Sequence, residues 1–142
     1  TCTIEYDHPL INQQTCSIEL SGNSFEEEVS RARTFGFYRD YEQLKRFGLS
    51  QGCSLDNVLV VDDTDILNPD GLRYADEFVR HKLLDCVGDF SLLGMPILGH
   101  VVAHKSGHAF NHVFLEKFLE QKDAWETCCL DQPVLDERAS AN

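Results

Sequence analysis

Asp76-Glu77-Phe78-Val79-Arg80-His81-Lys82-Leu83-Leu84-Asp85-Cys86-Val87-Gly88-Asp89-Phe90 is the stretch on which the fold turns. It predicts a helix. No Pro interrupts it, and Asp76 and Glu77 put negative charge in the first turn, where the macrodipole favours it. At about 100° per residue, Val79, Leu83, Leu84, Cys86, Val87 and Phe90 fall on one broad stripe. Arg80 intrudes on that stripe, and Phe78 lies off it. His81, Asp85 and Asp89 stack on the opposite face with Lys82 beside them, because positions i, i+4 and i+8 are neighbours on a helix. One imidazole and two carboxylates therefore line a helix whose other side is apolar.

A His and a carboxylate at this spacing can chelate one metal ion, with zinc favoured among the common ones. Most polar helix faces are simply solvated, however, and such a pair is more often a surface contact worth a few tenths of a kcal/mol. Zinc needs three or four ligands. Spacing alone leaves both readings open.

The 142 residues suit one domain with a real core. The chain begins with Thr, which predicts either processing or a piece of something longer. It has no apolar run approaching ~18 residues and no signal-peptide pattern, so the expectation is a soluble, cytoplasmic chain. A net charge of −12 argues against nucleic-acid or anionic-membrane binding. An anionic small molecule stays possible if basic residues gather locally. Arg31, Arg33, Arg80, Lys82 and Lys105 are candidates, with exposed solubilising charge as the default. Six cysteines with no CxxC pair read as reduced, partly buried thiols rather than a disulfide framework.

Outward from the helix, Thr1 to Tyr6 and Thr15 to Ser21 alternate and predict an antiparallel ribbon. Ser24 with Glu27 is a capping-box signal for a helix. A helix is expected over Arg39 to Phe47, stopped by Gly48. Val58 to Val61 reads as a buried strand, and Ile66-Leu67 as a short return strand. Asn68-Pro69-Asp70-Gly71 is a turn. Ile97 to Ala103 reads as a strand, and Ser106 as the cap of a last helix near Gly107 to Gln121. Asp123 to Trp125 is expected to pack back, with a C-terminal tail over 126–142. The expected fold is α+β: a two-layer sandwich, a mixed sheet with two long helices on one face, plus a small β-α-β insert.

These blocks together resemble one family. Arg31-Ala32-Arg33-Thr34-Phe35-Gly36-Phe37, Val60-Val61-Asp62, Leu67 to Arg73, Glu77 to Asp85 and Lys105-Ser106-Gly107-His108-Ala109 look like the zinc-dependent UDP-3-O-acyl-N-acetylglucosamine deacetylase of lipid A synthesis. The likeness runs to about Trp125. The family has two similar domains, and residues 1–125 resemble the second, with an insert at about 37–64 that lines an acyl-chain passage. The resemblance implies a Zn2+ cofactor with His81 and Asp85 as two protein ligands. The third ligand, a His, and the general-base Glu belong to the absent N-terminal domain, the implied partner. It implies Thr34 at the oxyanion, and His108 oriented by Asp89 as the cationic acid. Lys82 and Lys105 are implied for substrate oxygens and the diphosphate, and Phe35 and Phe37 for the acyl channel. The implied substrate is a nucleotide-sugar lipid, with membrane contact only through its acyl chain. His8, His100, His104 and His112 match no family ligand and read as ordinary polar residues.

Two other classes stand beside this one. HxxxD occurs in CoA-dependent acyltransferases, where the His is a base, but that motif usually continues into Gly and here Cys86 follows. The third class is a half-enzyme acting as a non-catalytic binding or scaffold domain, the reading for an isolated chain without turnover.

Overall fold

The structure is a computed structural model that describes residues 1–129. The tail expected at 126–142 lies, beyond residue 129, outside the described residues. Strand β1 (Cys2–Glu5) pairs antiparallel with β2 (Gln13–Cys16), from Cys2 opposite Cys16 to Glu5 opposite Gln13. Cys2 and Ile4 point inward and are buried, as period-two alternation requires. Beyond Cys16 the ribbon ends, so Ile18 and Leu20 lie outside it.

The helix expected at Ser24 is the short α1 (Ser24–Glu28). The capping box does not form. Ser24 Oγ donates to Glu19 O at 2.7 Å and accepts from Ser21 N at 2.9 Å, so its hydroxyl is used upstream. Strand β3 (Thr34–Phe37), helix α2 (Tyr38–Arg46) and strand β4 (Val58–Val61) then make a β-α-β unit. Its strands are parallel, Thr34 opposite Val58 through Phe37 opposite Val61. Gly48 follows α2 at φ +70°, a conformation L side chains resist, and closes the helix through Gly48 N to Lys45 O at 3.0 Å. The expected return strand is only a single bridge, Val61 to Ile66. The unit forms a second, two-stranded sheet rather than an extension of the first.

Helix α3 (Glu77–Phe90) packs on β1, β2 and β3. It is therefore covered on more than one side, and Phe78, off the predicted stripe, is 1 % exposed. Its ring meets Phe35 edge-on at 5.1 Å. Burying such a side chain is worth about 1.5–3 kcal/mol.

The strand expected over 97–103 contracts to β5 (Ala103–His104), parallel to β1 in a mixed sheet of order β2-β1-β5. The ladder runs as far as Thr1, whose amino group donates to Val101 O at 2.9 Å. Residues 97–100 lie past it with no strand alongside. Helix α4 (His108–Glu120) packs against α3. Gly107 is its N-cap, and Ser106 Oγ meets Cys86 Sγ at 3.5 Å instead of capping. Trp125 does pack back: its indole N–H donates to Phe118 O at 2.8 Å and its ring stacks on Phe118. Among the described residues no helix is long and apolar enough to cross a membrane. All six cysteines are free, with Cys2, Cys16 and Cys86 buried.

Candidate functional site

The polar face of α3 brings His81 and Asp85 together, with Nε2 3.3 Å from Oδ1. His81 Nδ1 lies 3.3 Å from Ala32 O. A carbonyl oxygen only accepts, so Nδ1 carries the proton and Nε2 presents a lone pair. Burial holds the imidazole below its ordinary value, outweighing Asp85 and the carbonyl, which favour charge. A neutral Nε2 facing a carboxylate oxygen is repulsive unless a cation lies between them. Two ligands about 2.1 Å from a tetrahedral zinc stand about 3.4 Å apart. Separation, tautomer and donor set therefore fit a zinc ion, with Ala32 O orienting the ring as outer partners of metal-binding histidines do. Among the described residues no group of three or more His, Cys, Asp or Glu side chains could hold a metal.

Ala32 is fixed from below. Arg33, a candidate for anion binding or exposed charge in the sequence, is instead 4 % exposed and paired with fully buried Glu77. Arg33 Nε and Nη2 donate to Glu77 Oε1 at 2.9 Å and Oε2 at 3.0 Å. The backbone N–H groups of Arg33 and Arg73 donate to the same carboxylate at 2.9 and 2.6 Å. Burial raises the Glu77 carboxyl, but these donors outweigh it and hold it below the ordinary range. Gly71 closes the preceding turn at φ +66° and gives its carbonyl to Arg33 Nη2 at 2.7 Å. Sequence reasoning missed this pair. Its signal was a Glu in the first turn of a helix next to an apolar position.

A second cluster bridges α3 and α4. His108 Nδ1 lies 2.9 Å from Asp89 Oδ2 and its Nε2 lies 3.8 Å from Asp85 Oδ1, so the two clusters touch. Buried Asn111 donates to Asp89 Oδ2 at 2.7 Å. Burial pushes Asp89 up, yet Asn111 and His108 outweigh it and hold the carboxyl below its usual range. Asn111 was given no role in the sequence; its spacing of three from His108 was the available signal. His112, read as an ordinary polar residue, reaches Asp89 Oδ1 at 3.6 Å.

The other expected residues divide. Lys82 is at the site, but its Nζ donates to Asp85 Oδ2 at 2.8 Å while lying over the Phe35 ring at 5.7 Å. Thr34 opens β3 two residues after Ala32, exposed. Phe35 lies 6.3 Å from the His81 ring, 5.5 Å from Tyr6 and against Phe78, so it packs the core beside the site. Phe37 contacts Tyr6, His8 and Arg39. Lys105 pairs with Glu5 at 2.9 Å on the sheet edge and joins neither cluster. A cavity of about 870 Å³ lies on the other side of α3, lined by Leu83, Val87, Phe90 and Ile97.

A family model described as UDP-3-O-acyl N-acetylglycosamine deacetylase matches residues 1–120. Curated relatives bear the name UDP-3-O-acyl-N-acetylglucosamine deacetylase. One from Hahella chejuensis is 56 % identical over 128 residues, 89 % of this chain and 42 % of its own length. One from Myxococcus xanthus is 55 % identical over 107 residues, 75 % of this chain and 34 % of its own. One from Chromobacterium violaceum is 47 % identical over 136 residues, 94 % of this chain and 45 % of its own. The chain thus spans less than half the length of these relatives, and with most of its residues matched it belongs to the UDP-3-O-acyl-N-acetylglucosamine deacetylase family.

Proposed function

We propose that this chain supplies the C-terminal half of the active site of a zinc-dependent amidase. The reaction is hydrolysis of the N-acetyl group of UDP-3-O-acyl-N-acetylglucosamine, a step of lipid A synthesis, in the cytoplasm. One observation carries the reading: His81 gives its Nδ1 proton to Ala32 O and turns a bare Nε2 toward Asp85 at 3.3 Å.

His81 and Asp85 would hold the zinc, which when bound supplies Lewis acidity and a water of lowered pKa. The remaining chemistry falls to side chains. Asp89, steadied by Asn111, accepts a hydrogen bond from His108 Nδ1 and directs the other nitrogen toward Asp85. His108 is thereby placed to give a proton to the departing amine. The Thr34 hydroxyl donates to the oxygen that gains charge as the carbonyl is attacked. Lys82, beside Asp85 and over the Phe35 ring, would hold a substrate oxygen. Phe35 closes the apolar side, and Phe37 with the β-α-β insert receives the acyl chain. The N-terminal half of the parent enzyme supplies the remaining His ligand and the general base.

Two ligands rarely suffice for stable zinc, so the chain alone binds zinc weakly and is inactive, its substrate or partner bound without turnover. The test is complementation. The chain is mixed with the part of the Hahella chejuensis relative that precedes its matched segment, and acetate release is followed with zinc present. Activity in the mixture and none in either half is expected. A folded, zinc-loaded mixture that stays inert overturns the assignment.

A further inference from the structure

The segment from Ile97 to His104 carries the pattern of a strand along its whole length but pairs along only part of it, and on one side. The N–H groups of Ala103 and Lys105 donate to Thr1 O and Thr3 O at 2.9 and 2.8 Å, and Val101 O accepts from the Thr1 amino group. Alternate residues of a strand turn their backbone groups to opposite edges, so those of Val102 and His104 point away from β1. β5 ends the sheet order β2-β1-β5, and among the described residues no strand lies beyond it. The side chains alternate too: Ile97, Val101 and Ala103 are half-buried, whereas Leu98, Val102 and His104 are exposed.

The half-buried side chains line the cavity of about 870 Å³ behind α3, whose other walls include Leu83, Val87 and Phe90. Protein interiors hold few voids larger than a water molecule, so an apolar space of this size beside an open edge is room for side chains. The other edge strand, β2, lines none of that space. It is polar at Gln13, Gln14 and Thr15, the usual character of an edge left open to water.

We propose, resting on the reading of this chain as the C-terminal half of an enzyme, that residues 97–104 take up one extended strand from the N-terminal half. Every second side chain of that strand is apolar and fills the cavity. Less than half of each relative is matched by this chain, so the parent has residues to supply the strand. Thr1 marks where they arrive: it stands at the head of the ladder, donates to Val101 O and lines the cavity. Both sides of β1 are taken, by β2 and β5. The nearest open backbone for an incoming strand is therefore that of Val102 and His104. Main-chain hydrogen bonds to those groups supply affinity, and the alternating side chains set the register.

Amide exchange followed by NMR compares two proteins. One is the 142-residue chain. The other is the same chain joined at Thr1 to the part of the Hahella chejuensis relative that precedes its matched segment. In the first, Ala103 and Lys105 exchange slowly while Val102 and His104 exchange fast. In the second, exchange at Val102 and His104 slows by about 100-fold or more. Val102→Pro removes an edge donor without touching the bonds to β1. In the joined chain it returns His104 to fast exchange, and slow exchange at Ala103 shows that the fold survives. Fast exchange at Val102 and His104 in the joined wild type overturns the proposal. Acetate release from the same sample separates this from failure of the deacetylase reading: release with both amides fast sinks the strand alone, and slow amides without release sink the hydrolysis alone. Slow exchange at both amides already present in the 142-residue chain also overturns the proposal. It assigns the edge to a second copy if it grows with concentration, and to the chain itself if it does not.

Discussion

His81–Asp85 and His108–Asp89 are the same two side chains in two settings. In the first, the imidazole gives its Nδ1 proton to a backbone carbonyl, burial keeps it neutral, and its free nitrogen meets the carboxylate. In the second, the imidazole is 62 % exposed and meets the carboxylate through Nδ1 itself. The anchoring partner differs, and so does the chemistry on offer. A carbonyl below the ring leaves a lone pair for a cation. A carboxylate below the ring anchors Nδ1 and turns the other nitrogen toward Asp85.

The sharpest way to break the comparison is to exchange the effects of the two rings in the complemented enzyme. His81→Ala should abolish both bound zinc and acetate release. His108→Ala should lower turnover by about 10²–10⁴-fold, the usual range for a lost proton donor, with zinc content unchanged. Metal analysis beside rate measurement checks this, and loss of zinc from the His108 variant would merge the two roles.

Next comes the support under the first ring. Glu77→Gln leaves the Arg33 guanidinium buried without its counter-charge, and breaking such a pair costs about 3–5 kcal/mol. Urea unfolding should show a loss of that size. Asn111→Ala acts on the second ring only. It strips a donor from Asp89 and should cost about 1–3 kcal/mol, with a fall in turnover smaller than that of His108→Ala.

The smallest effect is with acid. Glu77 and Asp89 have folded values below their ordinary 4.5 and 3.8. As pH falls, the unfolded chain therefore takes up protons first. The stability that both contribute is present above those ordinary values and is lost as pH drops through the folded ones. Unfolding midpoints should hold from pH 7 to about pH 5 and then decline. Glu77→Gln should flatten part of that decline.

What was legible from the sequence follows the range of the interaction. Helix α3 begins and ends within a residue of the expected span, because periodicity and first-turn charge are local signals. The two rings and their carboxylates were found through spacing and family resemblance. Phe78 was misplaced because one stripe was assumed, whereas β3 covers a second side of the helix. Arg33 and Glu77 are 44 residues apart, and nothing local in either announces the other. Asn111 is polar and buried for the sake of Asp89 on another helix, so only the packing of α3 on α4 reveals it. The strand expected over 97–103 had the right composition, but strands require neighbours and the ladder stops at Thr1.

The Ala32 carbonyl carries a genetic consequence. Every amino acid has that oxygen, so a small substitution at buried position 32 keeps the contact that sets the His81 tautomer. Screens for inactive alleles should therefore leave small residues at 32 unscathed. Their hits should gather at Arg33, Glu77 and Gly71, positions behind the His81 ring that would otherwise look like bystanders.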